Sequence, residues 1–257
     1  MATTAGRLSV VGLGPGRRDW CTPAVVDRLT AATDLVGYGP YLDMIPVPTT
    51  GTRHRSGNRV EADRACRALD LAAAGGDIVV VSSGDAGVFA MASAVVEQLD
   101  VHPDRWRDVE IEILPGISAA NALAARLGAP LGHDFCVVSL SDVLKPWEVI
   151  ERRLVAAAGA DFVIALYNPT SRHRPWQLAR AIECISAHRL PDTPVAIGRN
   201  VGRDTESVRV VALSQLDPAE IDMSTVLIVG SSTTRWLHDR PTPTSLYSPR
   251  SYPTARG

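Results

Sequence analysis

Short apolar, β-branched runs alternate with longer amphipathic runs along this chain, the pattern of strands separated by helices. Leu8–Leu13 predicts the first strand. Thr22–Ala32 predicts a helix, with Thr22 placed to cap it and Pro23 at the first helical position, where no N–H is needed. Asp34–Tyr38 predicts a short strand. Arg59–Ala74 predicts a helix with Ala62, Cys66, Leu69 and Ala73 on one face. Ile78–Ser82 is apolar almost throughout, as in a strand covered on both sides in a parallel sheet. A helix is expected over Val88–Leu99, a strand over Val109–Leu114, and a helix over Ser118–Leu127 closed by Gly128.

A second series follows. Asp134–Leu140, Phe162–Tyr167, Pro194–Arg199 and Thr225–Gly230 predict strands, the last being the final strand of the chain. Pro146–Ala158 and Trp176–Ala187 predict helices. Ser207–Leu213 alternates in polarity and is expected to pair antiparallel. No internal repeat is visible. The alternation predicts an α/β protein of two α/β domains with mainly parallel, mixed sheets. The expected division is 1–117 and 118–240, with weak points at Pro115–Gly116 and Gly128–His133. A proline-rich, irregular tail is expected over 241–257. Two domains leave a cleft, a usual place for a ligand.

The chain has 257 residues, 46% hydrophobic and 21% charged, enough for a sizeable core. Lysine plus arginine number 26 and aspartate plus glutamate 28, a net charge of −2. That balance argues against a dedicated nucleic-acid binder, which carries a basic excess. No apolar run reaches the roughly 18 residues of a membrane helix, and Met1–Arg7 lacks the apolar core of a signal peptide. Cys21, Cys66, Cys136 and Cys184 show no CxxC spacing. Reduced thiols in a cytoplasmic setting are therefore expected. Lys145 is the single lysine. The arginine bias reads first as genome composition and second as a supply of forked donors for carboxylates.

Three strand ends run into small-residue loops. The first is Gly12-Leu13-Gly14-Pro15-Gly16. It fits a dinucleotide fingerprint poorly: position 17 is arginine, Pro15 lacks an N–H, and Asp34 opens the next strand instead of ending it. Alone, it reads as a tight strand-to-helix turn. The second, Ser82-Ser83-Gly84-Asp85-Ala86-Gly87, follows the most apolar strand, at the edge where open α/β sheets bind ligands. Its Asp85 suits both capping the next helix and accepting hydrogen bonds from an amine or a ribose. The third, Leu114-Pro115-Gly116-Ile117-Ser118-Ala119-Ala120, leads into a helix. The helix N–H groups and the Ser118 hydroxyl can hold a carboxylate, or Ser118 simply caps the first turn.

Together these loops resemble those of the tetrapyrrole methylase family, enzymes that take a methyl group from S-adenosylmethionine. Further segments are similar too: Gly37–Leu42, Ser56-Gly57 with Glu61 and Arg64, Val88–Met91, Leu166–Pro169 with Arg172, and Thr225–Ser232. The likeness runs from about Arg7 to Arg250. These segments are similar to members that methylate C17 of a corrin precursor and contract its ring. The resemblance implies S-adenosylmethionine as cofactor, held between two α/β domains, and a homodimer. It implies cofactor contacts at Pro15, Gly84, Asp85, Val88, Ser118, Ala119, Asn168, Val201 and Thr225 (or Val226), with Gly12, Gly14 and Gly16 shaping the floor. Many members have proline where this chain has Ala86, which puts the stiffness of that loop in question.

An electron-rich ring carbon is already nucleophilic, so the implied methyl transfer needs mainly positioning, worth roughly 7–11 kcal/mol when geometry is good. The implied ring contraction also moves a proton and needs a general acid or base. Candidates are Tyr38, Tyr41, Glu61, Asp85 and His54. The substrate's carboxylates need arginines. Thr52–Arg59 is the densest basic segment and reads as a loop, either solvated or gripping the substrate. The implied substrate-binding set is Gly14, Tyr38, Arg53, Ser56, Gly57, Arg64 and Arg172, with Arg174 nearby in sequence. No metal site is expected, because the six histidines show no HxxxH or HExxH spacing. The tryptophans read as packing residues. Two other classes compete: an NAD-dependent oxidoreductase using the first loop, and a non-catalytic tetrapyrrole carrier. Whether the macrocycle carries cobalt is open.

Overall fold

The computed structural model describes residues 6–58, 60–240 and 244–252. The chain falls into two units that divide between Ser118 and Ala119.

The first unit holds β1 (Arg7–Gly12), α1 (Pro23–Ala31), β2 (Asp34–Tyr38), α2 (Gly39–Leu42), β3 (Thr52–Ser56), α3 (Glu61–Ala73), β4 (Asp77–Ser82), α4 (Met91–Val101) and β5 (Glu110–Leu114). Its five strands form one parallel sheet in the order β3-β2-β4-β1-β5. Side chains alternate across it, as the pleat requires. Leu8, Val10, Ile78 and Val80 pack with α3 and α4, through Ala65, Leu69 and Val95. Val11, Val79 and Val81 pack with α1, through Val25 and Leu29, on the other core. That two-sided cover is why β4 reads as an unbroken apolar run. Thr22 caps α1 as expected, accepting from the Val25 N–H at 3.4 Å.

Three expectations are corrected in this unit. Thr52–Ser56 is a strand, not a loop, paired parallel with β2. It lies at the sheet edge, where Arg53 and Arg55 discourage pairing with other chains. The buried face of α3 is Arg64, Ala65, Ala68, Leu69 and Ala72. Of the expected stripe only Leu69 is fully buried; small alanines, not the cysteine, let the helix sit close to the sheet. Arg59, expected to open that helix, lies outside the described residues. Helix α4 begins at Met91, three residues later than expected, because 85–90 form a turn held by hydrogen bonds described below.

The second unit holds α5 (Ala119–Leu127), β6 (Gly128–Ala129), β7 (Phe135–Ser139), α6 (Trp147–Gly159), β8 (Val163–Tyr167), α7 (Gln177–Ser186), β9 (Pro194–Arg199), β10 (Ser207–Ala212), β11 (Thr225–Val229), β12 (Arg235–Trp236) and β13 (Leu246–Tyr247). Its main sheet, β10-β9-β11-β8-β7, is mixed: β7 and β8 are parallel and the other pairs antiparallel. The expected antiparallel pairing of Ser207–Leu213 is present as β10 on β9. Ile164, Leu166, Val195 and Leu227 pack against α6 and α7 on one face. At Gly198 a Cβ would come within 2.7 Å of Leu123, so α5 lies close against the sheet there.

A small sheet, β12-β13-β6, corrects two further expectations. Thr225–Gly230 is not the last strand, and the tail is not wholly irregular: Leu246 and Tyr247 pair with Gly128 and Ala129. Two-residue strands carry too little periodicity to be read from sequence. Residues 241–243 and 253–257 of that tail lie outside the described residues. Gly128, expected to close α5, has a φ of 134° and begins β6. No helix among the described residues is long and apolar enough to cross a membrane.

Candidate active site

The three glycine loops meet at the C-terminal ends of β1, β4 and β5. The Gly14 N–H donates to the Gly84 carbonyl at 3.0 Å, and the Gly84 N–H returns to Gly14 at 2.8 Å. Both glycines have positive φ, 74° and 71°, a region that glycine enters without steric cost. A Cβ on Gly12 would lie 2.6 Å from the Gly84 oxygen and 2.8 Å from the Gly116 nitrogen. A Cβ on Gly116 would lie 2.3 Å from the Gly84 oxygen and 2.6 Å from the Gly12 oxygen. The loops therefore touch backbone to backbone, and side chains are excluded from their junction. Pro15 is buried beside this junction in sequence, and Val88 and Ser118 are half-buried.

Asp85 ties the junction together. Its Oδ1 accepts the Gly87 N–H at 2.8 Å and its Oδ2 accepts the Gly116 N–H at 3.0 Å. The first bond folds its own loop, and the second reaches the third loop. The next turn is closed by Ser82, whose Oγ accepts the Met91 N–H at 3.3 Å. Phe89 within this turn has a φ of 53° and is half exposed. Positive φ is costly for an aromatic residue and concentrates at functional sites. Phe89 belongs to the similar segment Val88–Met91, but nothing in its local pattern announces a left-handed backbone.

A second group gathers at the ends of β2 and β3. Tyr38 is in register with Ser56, and the Tyr38 and Tyr41 rings meet edge to face at 5.2 Å. Arg64, in the first turns of α3, is buried. Its Nε donates to Ser56 Oγ at 2.8 Å, its Nη2 to the Gly57 carbonyl at 2.6 Å and its Nη1 to Met91 Sδ at 3.2 Å. Burial pulls the Arg64 pKa down, and the charges of Glu61 and Tyr41 act in the opposite direction. Tyr38, Tyr41, Ser56, Gly57 and Arg64 thus form one corner, with Glu61 at the start of the same helix.

The other basic candidates are placed differently. Arg55 forms a two-point ion pair with Asp43 at 2.7 and 2.8 Å, and this holds the Asp43 carboxyl below its ordinary pKa. Arg53 donates to the Leu42 carbonyl and to Thr49. His54 turns to Asp34, 2.6 Å away at the start of β2, the sheet edge opposite the glycine loops. Arg172 is exposed, whereas Arg174 is buried and donates to the Leu140 and Asn168 carbonyls. Arg174 therefore joins loops of the second unit.

In the second unit Asn168 follows β8, Val201 follows β9 and Thr225 opens the antiparallel β11, in register with Arg199. All three therefore fall at one edge of that sheet. Asn168 and Asn200 have φ of 52° and 50°, and Asn168 donates to Ser139 Oγ at 2.9 Å. Tyr167, one residue earlier, accepts the Ala120 N–H on its hydroxyl at 2.8 Å. It thereby serves an N–H at the start of α5, a role that no local sequence signal marks.

The family model for tetrapyrrole (corrin/porphyrin) methylases matches residues 7–217. The chain is 51% identical over 258 residues to the cobalamin biosynthesis protein CobIJ of Mycobacterium tuberculosis, covering 99% of this chain and 50% of that protein. The chain thus spans about half the length of that relative. It is 50% identical over 247 residues to a precorrin-3B C(17)-methyltransferase of a Sinorhizobium species, covering 96% of this chain and 97% of that one. A crystal structure of the methyltransferase CobJ superposes with a TM-score of 0.89 at 49% identity, over 95% of this chain and 100% of that chain. The glycine junction therefore sits in a framework shared along nearly the whole chain, and the protein belongs to the tetrapyrrole methylase family.

Proposed function

We propose that this protein transfers a methyl group from S-adenosylmethionine to C17 of precorrin-3B, with ring contraction to precorrin-4, in cobalamin synthesis. The observation that carries this reading is the junction of Gly12, Gly84 and Gly116, which leaves bare backbone at three adjacent strand ends. Half-identity to a protein named for that reaction, over nearly the full length of both chains, supports the choice of substrate. Family membership weighs against the nicotinamide reading of the first loop.

The residues fit the cofactor. The junction holds three loops together at adjacent strand ends, Asp85 supplies a carboxylate for amines or hydroxyls, and the start of α5 favours an anionic group. Pro15, Gly84, Asp85, Val88, Ser118 and Ala119 are the proposed contacts from these loops. Asn168, Val201 and Thr225, the strand-end group of the second unit, are proposed contacts as well. When bound, S-adenosylmethionine supplies an electrophilic methyl group on a sulfonium. The protein's contribution is to hold donor and acceptor in line and to exclude water.

For the proton of ring contraction, the geometry favours the corner of Tyr38, Tyr41 and Glu61. Asp85 already has a backbone N–H on each carboxylate oxygen, and His54 faces Asp34 at the other sheet edge. Gly14, Tyr38, Arg53, Ser56, Gly57, Arg64 and Arg172 are the proposed substrate contacts. The protein is proposed to act as a cytoplasmic homodimer.

The test incubates purified protein with methyl-labelled S-adenosylmethionine and precorrin-3B, beside the cobalt-containing counterpart. Labelled, ring-contracted product from precorrin-3B is expected. No labelled product, under conditions in which an active relative turns over, contradicts the reading.

A further inference from the structure

Helix α5 is fastened at three places along its length. At its start the Tyr167 hydroxyl, at the end of β8, accepts the Ala120 N–H. Midway, Leu123 lies so close to β9 that a Cβ on Gly198 would come within 2.7 Å of it. Near its end Arg126 reaches Glu206, the residue before β10. Arg126 Nε lies 3.0 Å from Glu206 Oε1, and Arg126 Nη2 donates to Oε2 at 3.1 Å. The helix thus passes the ends of β8 and β9, and its first residue, Ala119, stands beside the first of these anchors.

The same carboxylate holds a second element. Glu206 Oε2 also accepts the Gly202 N–H at 2.6 Å. Gly202 lies in the turn that follows β9, next to the buried Val201. Val201 is flanked by two left-handed residues, Asn200 with a φ of 50° and Gly202 with a φ of 82°. Such a backbone persists only where its surroundings hold it. The Asn200 N–H donates to the Ser224 carbonyl at 3.0 Å, and its side chain donates to Thr205 at 3.0 Å. Gly202 is held by Glu206. A carboxylate has two acceptor oxygens and bonds more strongly than a neutral acceptor, so it can serve an arginine fork and a backbone N–H together. Asp85 in the first unit ties two strand-end loops in the same manner.

We propose that Glu206 is a positioning residue of the cofactor site. By holding Arg126 and the Gly202 N–H on one carboxylate, it fixes α5 and the turn after β9 relative to each other. The inference rests on the methylase reading, because Ala119 and Val201, the proposed cofactor contacts on those two elements, are the residues it aligns. Glu206 acts through these elements and not on the cofactor itself.

The experiment is calorimetry of the full chain with S-adenosylhomocysteine, well below the melting temperature of every variant. Glu206→Gln keeps the size and an oxygen for the Gly202 N–H but loses the ion pair, and Arg126→Met removes the other half of that pair. Each is expected to weaken binding about tenfold, and the double variant no further than the weaker-binding single, since both act through one contact. Arg126→Lys, which keeps the charge, is expected to retain most of the affinity. Ile185→Val, on the buried face of α7, lowers stability without touching Glu206 and is expected to bind as the wild type does. Unchanged affinity in both Glu206→Gln and Arg126→Met overturns the proposal, as do losses that add in full or an equal loss in Ile185→Val. A wild type that ignores S-adenosylhomocysteine contradicts the methylase reading, and hydrogen exchange then judges the Glu206 link by itself. Peptides covering 119–127 and 200–206 are expected to exchange faster in Glu206→Gln than in the wild type or Ile185→Val, and equal exchange overturns the link.

Discussion

The Gly116 N–H donates a 3.0 Å hydrogen bond to Asp85 Oδ2, tying together two strand-end loops whose sequence positions are 31 residues apart. Because the other oxygen of the same carboxylate holds the Gly87 N–H, Asp85 works as a clamp on the junction. Asp85→Asn keeps the shape but replaces one acceptor with an NH2 that faces an N–H. Hydrogen bonds to a charged group contribute about 1.5–3 kcal/mol. The variant is expected to bind S-adenosylhomocysteine about tenfold more weakly by calorimetry and to melt at a lower temperature.

Glycine substitutions separate the junction from the rest of the first unit. Gly116→Ala places a methyl group 2.3 Å from one backbone oxygen and 2.6 Å from another, and neither can move without displacing its loop. Gly57→Ala meets nothing within 4 Å. Denaturant unfolding is expected to show a loss of several kcal/mol, about 2–4, for Gly116→Ala, and a change within about 0.5 kcal/mol for Gly57→Ala. Cofactor affinity should fall only in the first.

What the sequence made legible follows from how local each signal is. The alternation of apolar runs located β1, β2, β4 and β5 and the main strands of the second unit because each has its own pattern: near-continuous apolar runs in the buried β4, β8 and β11, and alternating polarity in the less buried β5 and β10. The glycine loops were visible because bare backbone leaves a compositional mark. Thr52–Ser56 was misread because an edge strand carrying Arg53 and Arg55 looks like a solvated loop: its partners lie on one side only. The face of α3 was misread because alanines, weak in any hydrophobic count, do the packing. The clamp made by Asp85 and the service of Tyr167 to α5 are long-range hydrogen bonds, and no single-segment pattern carries them.

A buried arginine of the second unit provides a stability test. The Arg189 side chain is 1% exposed and faces Asp161. It also donates to the carbonyls of Gly230, Ala158, His188 and Phe162. Arg189→Met leaves those carbonyls unmatched and removes the charge facing Asp161, which keeps its bonds from Ser232 and Tyr252, at a cost of about 3–5 kcal/mol. Thermal unfolding is expected to drop markedly, while any folded fraction keeps its affinity for S-adenosylhomocysteine.

Two partly buried carboxylates of the second unit contribute to the acid limb of stability. Burial pushes the pKa of Asp161 up, but hydrogen bonds from Ser232 and Tyr252 and the charge of Arg189 outweigh it, for a net lowering. Burial likewise acts on Asp222, where bonds from Arg199, Thr225 and Ser224 prevail. A folded pKa below the unfolded value of about 3.9 gives stability that is complete above that value and is lost as pH falls through the folded pKa. The double variant Asp161→Asn, Asp222→Asn is expected to be less stable at neutral pH and to lose less on further acidification. Parallel acid limbs in wild type and variant would contradict this.

The central claim is that bare backbone at three strand ends of the first unit holds the methyl donor. A crystal structure with S-adenosylhomocysteine tests it most directly. The account predicts the ligand against Gly12–Gly16, Gly84–Val88 and Ser118–Ala119, with Asp85 still bonded to Gly116. Density for the ligand at the opposite edge of that sheet, near Asp34 and His54, would contradict it.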